Sequence, residues 1–74
     1  MTTRHDDARR LQLTLLANLR SGAALGDPPE ALNALEQGVW VTTLRAISEG
    51  YPSPAKLAAT ALLTKDIDFP RYTA

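Results

Sequence analysis

The stretch Asp27–Tyr51, DPPEALNALEQGVWVTTLRAISEGY, carries the signals that decide the fold. Asp27 is placed to cap a helix, Pro28 to take its first position, where a missing N–H and a fixed φ do no harm, and Glu30 to complete a capping box. At the other end Gly50 suits a left-handed residue, Tyr51 an apolar contact back onto the turn at Ala46, and Pro52 forbids continuation. Steps of about 100° per residue place Leu32, Leu35, Val39, Thr43, Ala46 and Ile47 on one stripe, with Glu36 at its edge. Beyond Gly38 the apolar arc widens, because Trp40, Val41 and Leu44 fall progressively farther round the cylinder. Gly38 is either slack, at about 1 kcal/mol relative to Ala, or a point where another helix comes close.

Working outward, the preceding segment predicts a helix over about 4–21, with Thr3 as cap and Ala8, Leu11, Leu15, Leu16 and Leu19 on one broad arc. Gly22 reads as its terminating residue, and the short connection to Asp27 makes the two helices antiparallel neighbours. Leu13 falls outside the arc. After the Gly50–Pro52 break, Ser53 and Pro54 open a third helix running to about Lys65, with Leu57, Ala58, Ala61 and Leu62 facing inward. Its polar ridge is Lys56, Thr60 and Thr64, and Ala59 and Leu63 are apolar positions outside the main arc.

The last residues, 66–74, change to alternating spacing and contain Pro70, so an extended tail is expected. Ile67, Phe69 and Tyr72 either pin that tail onto the bundle or offer a short segment to a partner. The whole is expected to be a single all-α domain: a small three-helix bundle made of an antiparallel helix pair, a shorter third helix and an extended tail.

A chain of 74 residues without cysteine has no disulfide and no thiolate metal site, and a domain of this size buries only about 60% of its unfolded surface. Oligomerisation is the remaining common source of stability. The formal charge is zero, with Arg4, Arg9, Arg10 and Arg20 making the first element basic and Asp27, Glu30, Glu36 and Glu49 making the second acidic. Such complementary elements favour packing on one another over a uniform nucleic-acid surface. No apolar run is long enough to span a membrane. The leucines at 11–19 are interrupted by Gln12, Thr14 and Asn18 and do not make a signal peptide, so a cytoplasmic location is expected. The preference for Ala, Leu and Arg suits a GC-rich bacterium or its phage.

Chemistry is sparse. His5 with Asp6 and Asp7 lacks a second imidazole and the right projection for a metal, and Ser21, Ser48 and Ser53 sit at helix ends where capping accounts for them. No phosphate-binding glycine loop occurs. No catalytic residue, cofactor or metal is therefore expected. The segment SPAKLAATALLT resembles the first helix of a helix-turn-helix, with Leu57, Ala58, Ala61 and Leu63 at matching spacing. The resemblance implies a DNA-binding regulator, with Arg4, Arg9, Arg10 and Arg20 as candidate phosphate contacts. It departs at Leu62, where that motif has its turn glycine, and at Asp66, Asp68 and Pro70, which fall in its recognition helix.

The leading expectation is a non-enzymatic interaction protein, a homodimer or an accessory or regulatory subunit of a larger protein. Its interface residues are expected to be Leu13, Trp40, Val41, Leu44, Ala59 and Leu63, which exceed what one small bundle hides. Trp40 reads either as core filling or as an interface anchor.

Overall fold

The computed structural model describes residues 4–71. Three helices, α1 (Arg4–Leu25), α2 (Pro29–Ser48) and α3 (Pro54–Leu62), are followed by a 3-10 turn, Leu63–Asp66, and an extended segment to Arg71. The all-α bundle is as expected, and its boundaries differ in informative ways. The position of Thr3 lies outside the described residues.

Helix α1 runs through Gly22 and stops at Gly26, which has φ +74°. The Asp27 N–H bonds the Gly22 carbonyl at 2.9 Å and the Gly26 N–H bonds that of Ala23 at 3.3 Å, a paired closure that satisfies two terminal carbonyls. Asp27 is thus spent on ending α1 and makes no cap for α2. The cap falls to Pro28, at ψ 141°, because a residue preceding proline is pushed out of the helical region and Pro29 follows. The expected capping box is absent for the same reason, and the connection shrinks to three residues.

Helix α2 ends as its sequence predicts, and by the same closure. Gly50 takes φ +89°, the Tyr51 N–H bonds the Ala46 carbonyl at 3.0 Å and the Gly50 N–H that of Ile47 at 3.1 Å. Ser53 stands at the cap position of α3 without a side-chain bond, and its carbonyl accepts the N–H groups of Lys56 and Leu57. The α-helical part of the third element ends at Leu62 and tightens to a 3-10 turn through Asp66.

The short α1–α2 connection makes these helices antiparallel. Leu19 packs with Leu32, Leu16 with Val39, and Gln12 bonds Thr43, so contacts rise along α1 as they fall along α2. Two apolar clusters follow. Leu16, Val39 and Ala61 pack with Leu15, and Leu19, Leu32 and Phe69 pack with Ala23 and Leu35, while Ile67 touches both clusters. Helix α3 therefore covers one end of the pair, and the extended tail pins Ile67 and Phe69 over the other.

The expected core face of α2 is realised, with Leu32, Val39, Thr43 and Ala46 buried. On α1 the face is turned by one residue: Leu11 is exposed and Gln12 is wholly buried. Gln12 Nε2 donates to Thr43 Oγ1 at 2.8 Å and to the Leu57 carbonyl at 2.9 Å, and its Oε1 accepts from Arg9 Nη1 at 2.7 Å. Arg9 Nη1 also reaches Thr60 Oγ1 at 2.9 Å. One amide thus ties α1 to both other helices. On the third element, Thr64 moves from the expected polar ridge to full burial, whereas Ala58 and Leu62 are exposed.

Gly22, expected to terminate α1, is instead a close approach inside it, and of the two readings of Gly38 the structure favours slack. A Cβ at Gly22 lies 2.8 Å from Leu32 Cδ2 and 2.9 Å from Asp27 Oδ2, so this is where the α2 start crowds α1. A Cβ at Gly38 meets only the Leu15 side chain, at 3.4 Å from Cδ1 and 3.7 Å from Cδ2, which is ordinary contact. Gly38→Ala should therefore stabilise the fold by about 0.5–1 kcal/mol through helix propensity. Gly22→Ala should destabilise it by about 1 kcal/mol, because the overpacking against buried Leu32 exceeds that gain. Urea unfolding midpoints check both, and a stabilised Gly22→Ala would contradict the close approach. Gln12→Ala should cost about 2–4 kcal/mol, combining a cavity with orphaned partners on all three helices.

Candidate interaction surface

The core face of α2 continues through Thr43 to Ala46, with Trp40 and Leu44 beside it on the side toward α3. Between the two helices lies an open groove of about 240 Å³ lined by Trp40, Thr43, Leu44, Ile47, Ala58, Ala61 and Leu62. Thr43 is the one polar residue in this wall, and its hydroxyl is committed to the Val39 carbonyl at 2.7 Å and to Gln12. Nothing in the wall offers a free polar handle. Small-molecule sites combine a larger cavity with a few converging polar groups, so this groove fits apolar side chains better than a metabolite.

Trp40 forms the post at one end. Its Nε1 donates to Thr64 Oγ1 at 2.9 Å, so the indole's polar atom is satisfied within the chain while the residue remains 45% exposed. A ring held this way has little rotamer freedom left to lose on contact with a partner. Leu44 and Leu62, at 66% and 57% exposure, flank the groove from opposite sides. Beyond Trp40 and Leu62 the surface becomes charged, with Glu36, Lys65 and Arg71 around a second depression. An apolar centre with a rim of both signs matches the general anatomy of protein interfaces.

The six expected interface residues, Leu13, Trp40, Val41, Leu44, Ala59 and Leu63, are all exposed. Trp40 and Leu44 line the groove; Leu13, Val41, Ala59 and Leu63 do not. Leu62, expected to face inward, is exposed and forms a wall of the groove. Helical spacing held that signal, since Leu62 lies about 140° from Leu57 and cannot share its inward direction.

Of the tail residues, Phe69 is buried and Ile67 half-buried in the chain's own core, and Tyr72 lies outside the described residues. Arg71, which sequence reading passed over, closes the tail. Its Nε lies 3.2 Å from each Glu36 carboxylate oxygen, its Nη2 2.9 Å from Oε2, and its guanidinium 4.0 Å from the Phe69 ring centre. The hydrogen bond to Glu36 raises the Arg71 pKa above its ordinary value, with desolvation opposing.

The four candidate nucleic-acid arginines do not share a stripe. Arg9 turns toward Gln12 and Thr60, while Arg4, Arg10 and Arg20 are exposed at positions spread around α1. After SPAKLAATALLT the chain makes a 3-10 turn and runs extended to Arg71, so no second helix follows among the described residues. His5 meets Tyr51 edge to face at 5.6 Å, and among the described residues no group of three metal-binding side chains gathers. No described helix is long and apolar enough to cross a membrane. Comparison of the chain with protein-family models, with curated proteins and with solved structures gives no match.

Proposed function

We propose that this chain is a non-enzymatic self-association module, a homodimer formed when the α2–α3 faces of two copies meet. The observation that carries the reading is the groove itself: contiguous, apolar, and bounded by a tryptophan already locked in place. Three features support a second copy as the occupant. The formal charge of zero leaves no net repulsion between like chains. The rim carries both signs, with Lys65 beside a Glu36 paired to Arg71, so it presents mixed charge to a two-fold partner. A standard interface takes about 800 Å² from each partner, a minor share of the 4962 Å² of accessible surface of one chain.

The polar side chains best placed for chemistry are instead engaged in holding the fold. Gln12, Thr43 and Thr64 are buried and bonded, and Glu36 is paired with Arg71. That leaves the surface as the part of the molecule with unfinished business, and apolar contact as its means of finishing.

Light scattering at micromolar concentration should return twice the 8.0 kDa mass of one chain. Leu44→Glu places an unpaired charge in the groove and should weaken association by about a hundredfold or more while leaving helicity intact. Leu25→Glu, at a more exposed leucine at the end of α1 that does not line the groove, should leave the mass unchanged. A monomeric native chain would instead favour an accessory role on a different protein.

A further inference from the structure

Thr64 is held from two sides. Its hydroxyl accepts the Trp40 indole N–H at 2.9 Å, and its carbonyl accepts Arg71 Nη2 at 2.7 Å. The same Nη2 lies 3.0 Å from the Ile67 carbonyl and 2.9 Å from Glu36 Oε2, so its two protons are shared among three acceptors. Glu36 stands one turn before Trp40 on α2. Arg71 therefore grips α2 and the 3-10 turn at the two points that flank the tryptophan, with Phe69 beneath its guanidinium anchoring the grip in the core.

We propose that the tail from Ile67 to Arg71 is a latch on the α2–α3 groove, with Arg71 as a positioning residue that sets Trp40 through Thr64. With the latch closed, Thr64 is fixed under the indole and the groove keeps one shape. When Arg71 lets go, the Thr64 carbonyl keeps only the Ile67 N–H, at 3.1 Å, as a partner, the tie from the 3-10 turn to Glu36 on α2 is lost, and the acceptor that orients Trp40 is held less firmly. The Arg71–Glu36 pair is partly exposed, so it is the weaker half of the device and the natural place for control. This rests on the self-association reading for its consequence, but the effect on Trp40 stands or falls separately.

Trp40 is the sole tryptophan, so its fluorescence reports this position alone. Acrylamide quenching and dimer dissociation are to be measured on the full chain for Arg71→Ala, Arg71→Lys, Thr64→Val and the Arg71→Ala/Thr64→Val double variant, with helicity verified by circular dichroism. Arg71→Ala should raise Trp40 quenching and weaken the dimer about tenfold. Arg71→Lys should fail to restore either, because an ammonium keeps the charge but lacks the planar fork that reaches the carbonyl and the carboxylate together. Thr64→Val should raise quenching similarly, and the double variant should exceed neither single one. Unchanged quenching in a folded Arg71→Ala, or additive effects in the double variant, would overturn the latch. Should Arg71→Ala not fold, Glu36→Gln gives the same readout from the other side of the pair, and unchanged quenching there would count equally against it. A chain that is monomeric yet shows the coupled Trp40 response upholds the latch and removes the dimer.

Discussion

The side-chain amide of Gln12 is the constraint on which the arrangement depends. It is fully buried, it donates to α2 and to α3, and it accepts from Arg9, which in turn reaches Thr60. A leucine core tolerates small rotations because dispersion contacts lack direction; an amide with three fixed partners does not. Turning α1 by one residue would seat Leu11 and strand the amide's partners, at about 1–3 kcal/mol for each buried group left unpaired. In a domain whose total stability is commonly only about 5–15 kcal/mol, that difference is enough to select one packing from several nearly equal ones.

Fixing the helices in this way also fixes what is left outside. With Gln12 inward, Leu11 and Leu13 face solvent; with Thr43 directed at Gln12, its neighbours Trp40 and Leu44 are presented beside α3. The 3-10 turn continues the pattern, since it draws Thr64 inward to meet Trp40 and turns Leu62 and Leu63 outward. The exposed apolar residues are in part a consequence of where the polar ones went.

Much of this was legible in the sequence. The Gly50–Tyr51–Pro52 stop, the stripe from Leu32 to Ala46, the pinning of the tail by Ile67 and Phe69, and the surplus of apolar residues in the second half of α2 all follow from local spacing. The Pro28–Pro29 step held a signal that the reading of Asp27 as cap overrode: proline's restriction on its predecessor excludes Pro28 from the helix and so removes Asp27 from the cap. The burial of Gln12 and Thr64 was not legible. Their partners lie 31 and 24 residues away, and a polar residue becomes a core residue only when such a partner has been folded next to it. Gly22 escaped for a related reason: the close approach there is of Leu32 from the next helix, while locally a second glycine four residues later was the better terminator. The groove shared this fate in part, because Trp40 and Leu44 announced themselves on α2 but the facing wall required knowing the rotation of α3.

A small domain that places Gln12, Thr43 and Thr64 in its interior has fewer sites there for aliphatic side chains, and 45% of this chain is apolar. The surplus has to be solvent-exposed in a monomer or covered in an assembly. Scattered over the surface, such residues would need no explanation. Here some are gathered between two helices beside a tryptophan whose hydrogen bond is already made, and the charged residues are at the margin. The polar interior supplies the orientation, the displaced apolar residues line the groove, and the tail's arginine connects the two by holding the residue on which the tryptophan rests.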